Sequence, residues 1–352
     1  MQNKLILAST FRHYFLGIGL ALEDKSSCYH MVFIDQKYDD NRNPLLNAAK
    51  TYPAPFKTVS ALPTRQGTNK RTHRKYIFTL IDSLLETLKP TEIISGNDRR
   101  IEFQYAMYAA QKKYQLNPIG GFIEDGTGNY IDTSKYNKTK TLADKYIDTP
   151  LKKLVYGTWF KRPTHLGMSD WVTNIYCTFP DKLVGTKKDK QLFKLSNKTY
   201  LNQETRQLLQ PLVENLGISD DIHLEGRNIL FLPHHSLIQD LYGSLSNAHD
   251  ALLAQTHDNQ TLVKYHPRDL EDPYNLAAHC VLLPTAVPAE LLLLCGTPKK
   301  VIGDLSTALL SARWLFPSSD VRFIPTKSKY TAEITTLFKY LDIKALDSSK
   351  AP

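Results

Sequence analysis

Glu124 and Asp125 are adjacent carboxylates that follow the apolar run Ile119-Gly120-Gly121-Phe122-Ile123 and precede Gly126-Thr127-Gly128. An apolar run opening into glycines reads as a buried strand ending in a turn, which places the two acids where a strand meets a cleft. Two carboxylates crowded into a partly dry turn compete for ionisation, and such a pair can supply a general base that takes a proton from a hydroxyl. The same composition also serves ordinary turns, so the pair needs support from elsewhere in the chain.

That support lies downstream. After Thr261-Leu262-Val263 come Lys264-Tyr265-His266-Pro267-Arg268-Asp269. Pro267 stiffens the backbone beside His266 and so holds an imidazole at a strand end. An imidazole there can act as a general acid toward a phosphate oxygen, while Lys264 and Arg268 attract the phosphate. Ser306-Thr307 open an apolar helix pattern directly after Lys300-Val301-Ile302-Gly303-Asp304-Leu305. Hydroxyls beside the free N–H groups of a helix start make a phosphate cradle. Glu290, in Pro288-Ala289-Glu290, starts another helix, where a carboxylate can either complement the helix dipole or accept from ribose hydroxyls. His234-His235, after Pro233, close one further strand and are candidate donor or acceptor contacts.

The elements that must carry these residues alternate. Strands are expected at Leu5–Ala8, Tyr29–Ile34, Glu92–Ser95 and Ile119–Ile123, with helices over Tyr14–Leu22, Tyr76–Leu88 and Arg99–Tyr114 between them. The stretch from Tyr136 to about Asn215 has no clean alternation and reads as irregular helices and loops. Alternation resumes with strands at Asn228–Pro233, Thr261–Tyr265, Cys280–Leu283, Lys300–Ile302 and Val321–Pro325, and helices at Ala248–Thr256, Ala289–Cys295, Ser306–Leu315 and Thr331–Leu341. Strand-helix-strand order at this spacing implies parallel sheets covered by helices. A length of 352 residues accommodates two such domains. They are expected at 1–220 and 221–352, joined near 216–227, with the last helix able to pack back on the first domain.

Composition narrows the classes. Hydrophobic content of 42% and charged content of 22% are those of a globular protein. The net charge of +9 points to an anionic partner, surface or substrate. Arg65–Lys75, which includes Arg71 and Arg74, and six lysines from Lys182 to Lys198 are candidate platforms for such a partner. The aromatics do not interleave with these runs as a nucleic-acid stacking platform requires, which sets aside a nucleic-acid-binding reading prompted by charge alone. The four cysteines, Cys28, Cys177, Cys280 and Cys295, form no CxxC pair and no metal-ligand spacing, as expected of a reducing cytoplasm. No apolar run reaches membrane-span length, so any membrane contact is peripheral. Asp39-Asp40 is the nearest approach to a metal-binding pair and reads as a turn.

The acidic pair followed by Gly126, then His266-Pro267, then Ser306-Thr307, in that order and each at a strand end, resembles the bacterial sialyltransferases. The segment Gly96-Asn97-Asp98-Arg99-Arg100-Ile101-Glu102-Phe103-Gln104 is similar to the corresponding stretch of the lipooligosaccharide sialyltransferases and capsular polysialyltransferases, and the likeness spans about Leu5 to Leu341. The resemblance implies a GT-B fold, two Rossmann-like doubly wound parallel-sheet domains facing a central cleft. It implies inverting transfer of a nonulosonic acid from its CMP conjugate to a bacterial surface glycan. Glu124 would be the base with Asp125 in support, and His266 the acid on the leaving phosphate. Lys264 and Pro267 would lie near the nucleotide, Glu290 at the ribose, and Ser306 and Thr307 at the phosphate; Asn97, Arg99, His234, His235, Arg71 and Arg74 are further candidate contacts. The chain carries Glu124 where many relatives have Asp, and Thr307 where they have a second Ser. The motifs do not read the sugar's substituents, so CMP-pseudaminic and CMP-legionaminic acid stand beside CMP-sialic acid as donors. No cofactor and no metal are expected, because a single phosphate can be stabilised by hydroxyls, a helix start and a His. The partners implied are the CMP donor, an anionic or lipid-linked glycan acceptor and an anionic membrane surface on the cytoplasmic side.

Overall fold

The computed structural model describes residues 1–34, 43–63, 69–132, 146, 149–185, 189–218, 224–255, 261–269, 271–285, 287–326 and 330–346. It divides into two compact units, Met1–Thr199 and Tyr200–Pro352. This division falls earlier in the chain than the 220/221 boundary read from composition.

The first unit is built on a parallel sheet of seven strands, β1 (Gln2–Ala8), β2 (Ser27–Phe33), β3 (Thr58–Ala61), β4 (Glu92–Ser95), β5 (Ile119–Ile123), β6 (Asn174–Cys177) and β7 (Gln191–Lys194), in the spatial order β3-β2-β1-β4-β5-β6-β7. The connecting helices are α1 (Phe11–Glu23), α2 (Pro44–Thr51), α3 (Lys70–Leu88), α4 (Ile101–Lys112) and α5 (Thr149–Tyr156), and the short α6 (Lys198–Leu201) spans the division between the units. Strands buried on both faces read as continuous apolar runs. In β1, Leu5, Ile6, Leu7 and Ala8 have no exposed surface, and Leu5 and Leu7 join Ile93, Phe103 and Phe122 in one core. Leu7 is level with Ser95 and Ser95 with Phe122. The residues just beyond β1, β4 and β5 therefore leave the sheet at the same edge.

The second unit repeats the plan. Its strands β8 (Asn228–Phe231), β9 (Thr261–Lys264), β10 (Val281–Leu282), β11 (Lys300–Gly303), β12 (Asp320–Phe323) and β13 (Lys344–Ala345) run parallel in the order β10-β9-β8-β11-β12-β13. Its helices are α7 (Gln203–Asn215), α8 (His235–Tyr242), α9 (Leu245–Leu253), α10 (Ala289–Leu292), α11 (Thr307–Leu315) and α12 (Thr331–Tyr340). The last helix packs within its own unit, Phe338 meeting Phe323 of β12 edge to face with centroids 5.6 Å apart.

In both sheets the order reverses between the first strand and the fourth. Ligands of doubly wound sheets sit outside the carboxyl ends at that reversal, which directs attention to the loops after β1 and β4 and after β8 and β11.

Four strands, β3, β6, β7 and β13, escaped the sequence pattern. β13 has two residues, β3 and β6 are short and stand apart from the strand-helix alternation, and β7 is an edge strand exposed along its whole length. The expected loop-rich middle therefore extends the first sheet. Asp39-Asp40 and Arg65–Thr68 lie outside the described residues.

Candidate active site

In the first unit the two acids of the Glu-Asp-Gly turn have separate fates. Glu124 continues β5 by one residue, its N–H donating to Tyr176 O at 3.1 Å. Its side chain is fully buried. Arg12 Nη2 donates to Oε1, the Thr178 N–H donates to Oε2 at 2.9 Å, and the Thr178 hydroxyl reaches both oxygens at 2.9 and 3.1 Å. A carboxylate held by a buried guanidinium and two further donors is an anchor with no route to an acceptor hydroxyl. The Glu124 side expected to face the cleft is thus turned into the fold.

Asp125 is the accessible member, its side chain 28% exposed. Its Oδ1 lies 2.8 Å from Nε2 of the buried His13 and accepts from the Thr10 hydroxyl at 3.3 Å. His13 Nδ1 accepts from the N–H groups of Ser9 and Thr10, at 3.2 and 3.3 Å. Those donors leave Nδ1 bare and put the ring proton on Nε2, which faces Asp125 Oδ1 as a close polar contact without hydrogen-bond geometry. The His13 ring lies against Gly96, where a Cβ would fall 1.9 to 2.1 Å from three of its atoms, so this position beyond β4 admits no side chain. Gly126 follows with φ 102°, a region costly for other residues, and Asn129 Oδ1 accepts the Asp125 N–H at 2.7 Å. Arg12, His13 and Thr178 escaped sequence reasoning. The one available signal, for Arg12 and His13, was a basic pair in the first turn of the helix that follows the first apolar strand.

Asp98 and Arg99, after β4, tie down the segment 161–170. The Asp98 carboxyl, held above the usual carboxylate range by burial, accepts from the Ser169 N–H at 2.8 Å. Arg99 donates to the carbonyls of Pro163 and Thr164, and Asn97 Oδ1 caps the Arg99 N–H at 3.1 Å. These two candidate contacts build the loop. A cavity of about 440 Å³ opens beside it, lined among others by Lys161, Arg162, Thr164, His165 and Ser169. Arg74 pairs with Glu102 between α3 and α4, whereas Arg71 is exposed at the start of α3. Of the lysines from 182 to 198, Lys190 is buried and donates to the carbonyls of Ser169 and Val172.

In the second unit, Phe231 is level with Lys264, and Leu230 with Ile302. Residues leaving β8, β9 and β11 therefore share one edge. His266 is partly exposed, and its Nδ1 accepts the Arg268 N–H at 3.2 Å, which leaves Nε2 as its outward donor. Burial lowers its pKa, opposed by Asp269 and reinforced by His234, Arg268 and Lys264. The His234 ring meets it edge-on at 5.7 Å. Pro267 is exposed beside it.

Lys264 is 5% exposed and donates to the carbonyls of Tyr265 and Thr285 at 3.3 and 3.2 Å. Burial pushes its pKa down to about 8 against the pull of Glu290. Glu290 is buried and accepts from the Ser311 hydroxyl at 3.2 Å. Ser306 is the N-cap of α11 and Thr307 its first residue. Asp304, missed in the sequence, stands between them and His266; burial raises its pKa, opposed by a bond from the Ser306 side chain and by His266. Asp269, also missed, accepts from the N–H and Nδ1 of His235 at 3.0 and 2.7 Å, with His234 Nε2 at 3.5 Å. One ligand atom from each of His234, His235 and Asp269 lies within 4.8 Å of the others, a set able to hold a cation.

Two Rossmann-type units, each with its strand order reversed between its first and fourth strands, make up the GT-B fold. The sequence matches the alpha-2,8-polysialyltransferase family over residues 21–322, and the chain belongs to that family. Comparison with curated protein sequences gives no match. Among solved structures, the chain is similar in fold to a UDP-glucosyltransferase from Polygonum tinctorium (12% identity, TM-score 0.53, covering 99% of this chain and 86% of that one). It is also similar to the UDP-GlcNAc 2-epimerases of Neisseria meningitidis (11%, 0.51, 98% and 87%) and Methanocaldococcus jannaschii (9%, 0.51, 96% and 92%). At these identities the likeness is one of fold. No helix among the described residues is long and apolar enough to cross a membrane.

Proposed function

We propose that this glycosyltransferase moves a nonulosonic acid, sialic acid in the first instance, from its CMP conjugate to a hydroxyl of a bacterial surface glycan, with inversion. The observation that carries the reading is the accessible Asp125 carboxylate, held by His13 at the strand-order reversal, in a chain of the polysialyltransferase family. Asp125 takes the proton of the acceptor hydroxyl as its oxygen attacks the anomeric carbon. The bond from that carbon to the CMP phosphate breaks, and its electron pair stays on the phosphate oxygen. His266 Nε2 donates to that oxygen, and the hydroxyls of Ser306 and Thr307 with the start of α11 share the charge. Lys264 and Glu290 hold the nucleoside, and Glu124 anchors the base from behind.

The cavity beside Lys161, Arg162 and His165 suits an anionic acceptor. The transfer takes place at the cytoplasmic face of a membrane that carries a lipid-linked acceptor, and no metal takes part. The test is release of CMP from CMP-sialic, CMP-pseudaminic and CMP-legionaminic acids with a sialylated oligosaccharide, with and without a chelator. Turnover with one donor that survives chelation is expected. Absence of release with all three overturns the donor class, and loss of turnover on chelation moves a cation into the mechanism, with His234, His235 and Asp269 the first residues to substitute.

A further inference from the structure

Two histidines that the proposed transfer does not use converge on one acid. His234 caps α8 and His235 opens it, while Asp269 lies in the loop that follows β9. The pairing of β8 with β9 brings both loops to one edge of the sheet. The arrangement is fixed from two sides: the Asp269 N–H donates to His266 O at 2.8 Å, and the Tyr274 hydroxyl donates to His235 O at 3.0 Å. Asp269 is 4% exposed. Its Oδ2 accepts from the His235 N–H at 3.0 Å, which leaves Oδ1 facing His235 Nδ1 at 2.7 Å and His234 Nε2 at 3.5 Å. The His234 ring is oriented in turn by the Ser236 hydroxyl, 2.9 Å from its Nδ1.

A single imidazole satisfies a buried acid as an ion pair. Two imidazoles aimed at the same oxygen, with a backbone N–H holding the other oxygen, form a ligand set whose outer contacts are already in place. Tetrahedral bonds of about 2.0–2.1 Å set neighbouring ligand atoms about 3.3 Å apart. The contact of Asp269 with His234, at 3.5 Å, meets that spacing, and the contact with His235, at 2.7 Å, has to open by about half an ångström. The two rings are 33 and 42% exposed, so an ion can enter from solvent and keep a water at its remaining position. Two nitrogens and one carboxylate oxygen suit zinc, cobalt or nickel, whereas magnesium and calcium take oxygen ligands.

We propose that His234 Nε2, His235 Nδ1 and Asp269 Oδ1 bind a divalent transition-metal ion of the zinc class beside His266, whose ring meets that of His234 edge-on at 5.7 Å. The experiment titrates the untagged full chain with cobalt(II), following the visible absorption of the four-coordinate ion, and then adds zinc or magnesium as competitor. No nucleotide sugar enters it, so a failed donor assignment leaves its result unaffected. One equivalent of cobalt is expected, displaced by zinc and retained against a large excess of magnesium. His234→Ala, His235→Ala and Asp269→Asn are each expected to weaken cobalt binding at least roughly tenfold. The first two act on part-exposed rings, so they decide the matter if Asp269→Asn loses the circular dichroism of the parent. His279→Ala, which removes one member of a second histidine pair in the same unit (His249 and His279, ring centroids 6.3 Å apart), is expected to bind as the parent does. Absence of a four-coordinate spectrum in the parent overturns the proposal, as does parent-like binding by both His234→Ala and His235→Ala. Displacement by magnesium as readily as by zinc overturns the class of ion, and loss of binding in His279→Ala alone moves the ion to that other pair.

Discussion

Exchanging each acid of the Glu-Asp-Gly turn for its amide separates anchoring from chemistry. Glu124→Gln leaves the Arg12 guanidinium, itself 5% exposed, without its carboxylate. Removing one partner of a buried ion pair costs about 3–5 kcal/mol. In a unit of 199 residues, at roughly 2–4 °C per kcal/mol, the first unfolding transition should drop by about 6–20 °C. Asp125→Asn keeps an oxygen beside His13 Nε2 on a side chain already 28% exposed, so it should cost less than about 1 kcal/mol. It does remove the proton acceptor, worth about 10²–10⁴ in rate. Scanning calorimetry with initial rates of CMP release, taken well below both transitions, reads the two effects independently. The expected pattern is an unstable but active Glu124→Gln and a stable but inactive Asp125→Asn. A Glu124→Gln protein that melts like the parent and is dead, beside a working Asp125→Asn, would refute the assignment and return the base to Glu124.

Three further outcomes follow from the same geometry. His13→Leu should lower kcat about 10²-fold with little change in acceptor KM, because it frees the Asp125 carboxylate to swing, and His13→Gln, which can still donate, should recover part of the loss; equal damage from both would make His13 a packing residue. Gly96→Ala puts a methyl into the His13 ring and should reproduce the kcat loss of His13→Leu together with a lower melting temperature, which an unchanged kcat would contradict. Lys264, with a pKa of about 8 against the ordinary 10.5, keeps its charge below about pH 8 and loses it above, so the donor KM should climb as pH passes that value. In Lys264→Met the climb should vanish; its persistence would assign the pH dependence to another group. Between about 8 and 10.5 the unfolded chain binds the extra proton, so the parent should also gain stability as pH rises through that window, measurable by urea denaturation.

What was legible in the sequence were the strands whose cores are apolar and set between helical stretches. β1, β4, β5, β8 and β9 are runs of apolar residues because both faces of a parallel sheet are covered, and such runs need no neighbour to interpret them. Their ends delivered the positions of Asp125, His266 and Ser306. β7 was not legible, since an edge strand such as Gln191–Lys194 owes its conformation to the strand beside it, and β6, though buried, was hidden in a stretch without strand-helix alternation. The partners of the two acids were hidden for a related reason. Arg12 and Glu124 are brought together only by the pairing of β1 with β4 and of β4 with β5, and no local pattern records that. Burial, likewise, cannot be read from Glu-Asp-Gly alone, so the choice between the carboxylates had to wait for the fold. Asp304 was missed because a lone acid beside a helix start looks like any cap, and Asp269 because its partner His235 lies 34 residues away in the chain.

Arg12 and His13 follow one another at the start of α1, and Glu124 and Asp125 follow one another at the end of β5. Consecutive residues on a helix diverge by about 100° and consecutive residues on a strand point to opposite sides, so the two pairs engage like the pins of a plug. An added or deleted residue just ahead of Arg12, or just ahead of Glu124, shifts both pins at once: the guanidinium loses its buried carboxylate and the imidazole loses Asp125 in a single step. The chain lengths from β1 to His13 and from β5 to Asp125 form a code that length changes cannot partly satisfy.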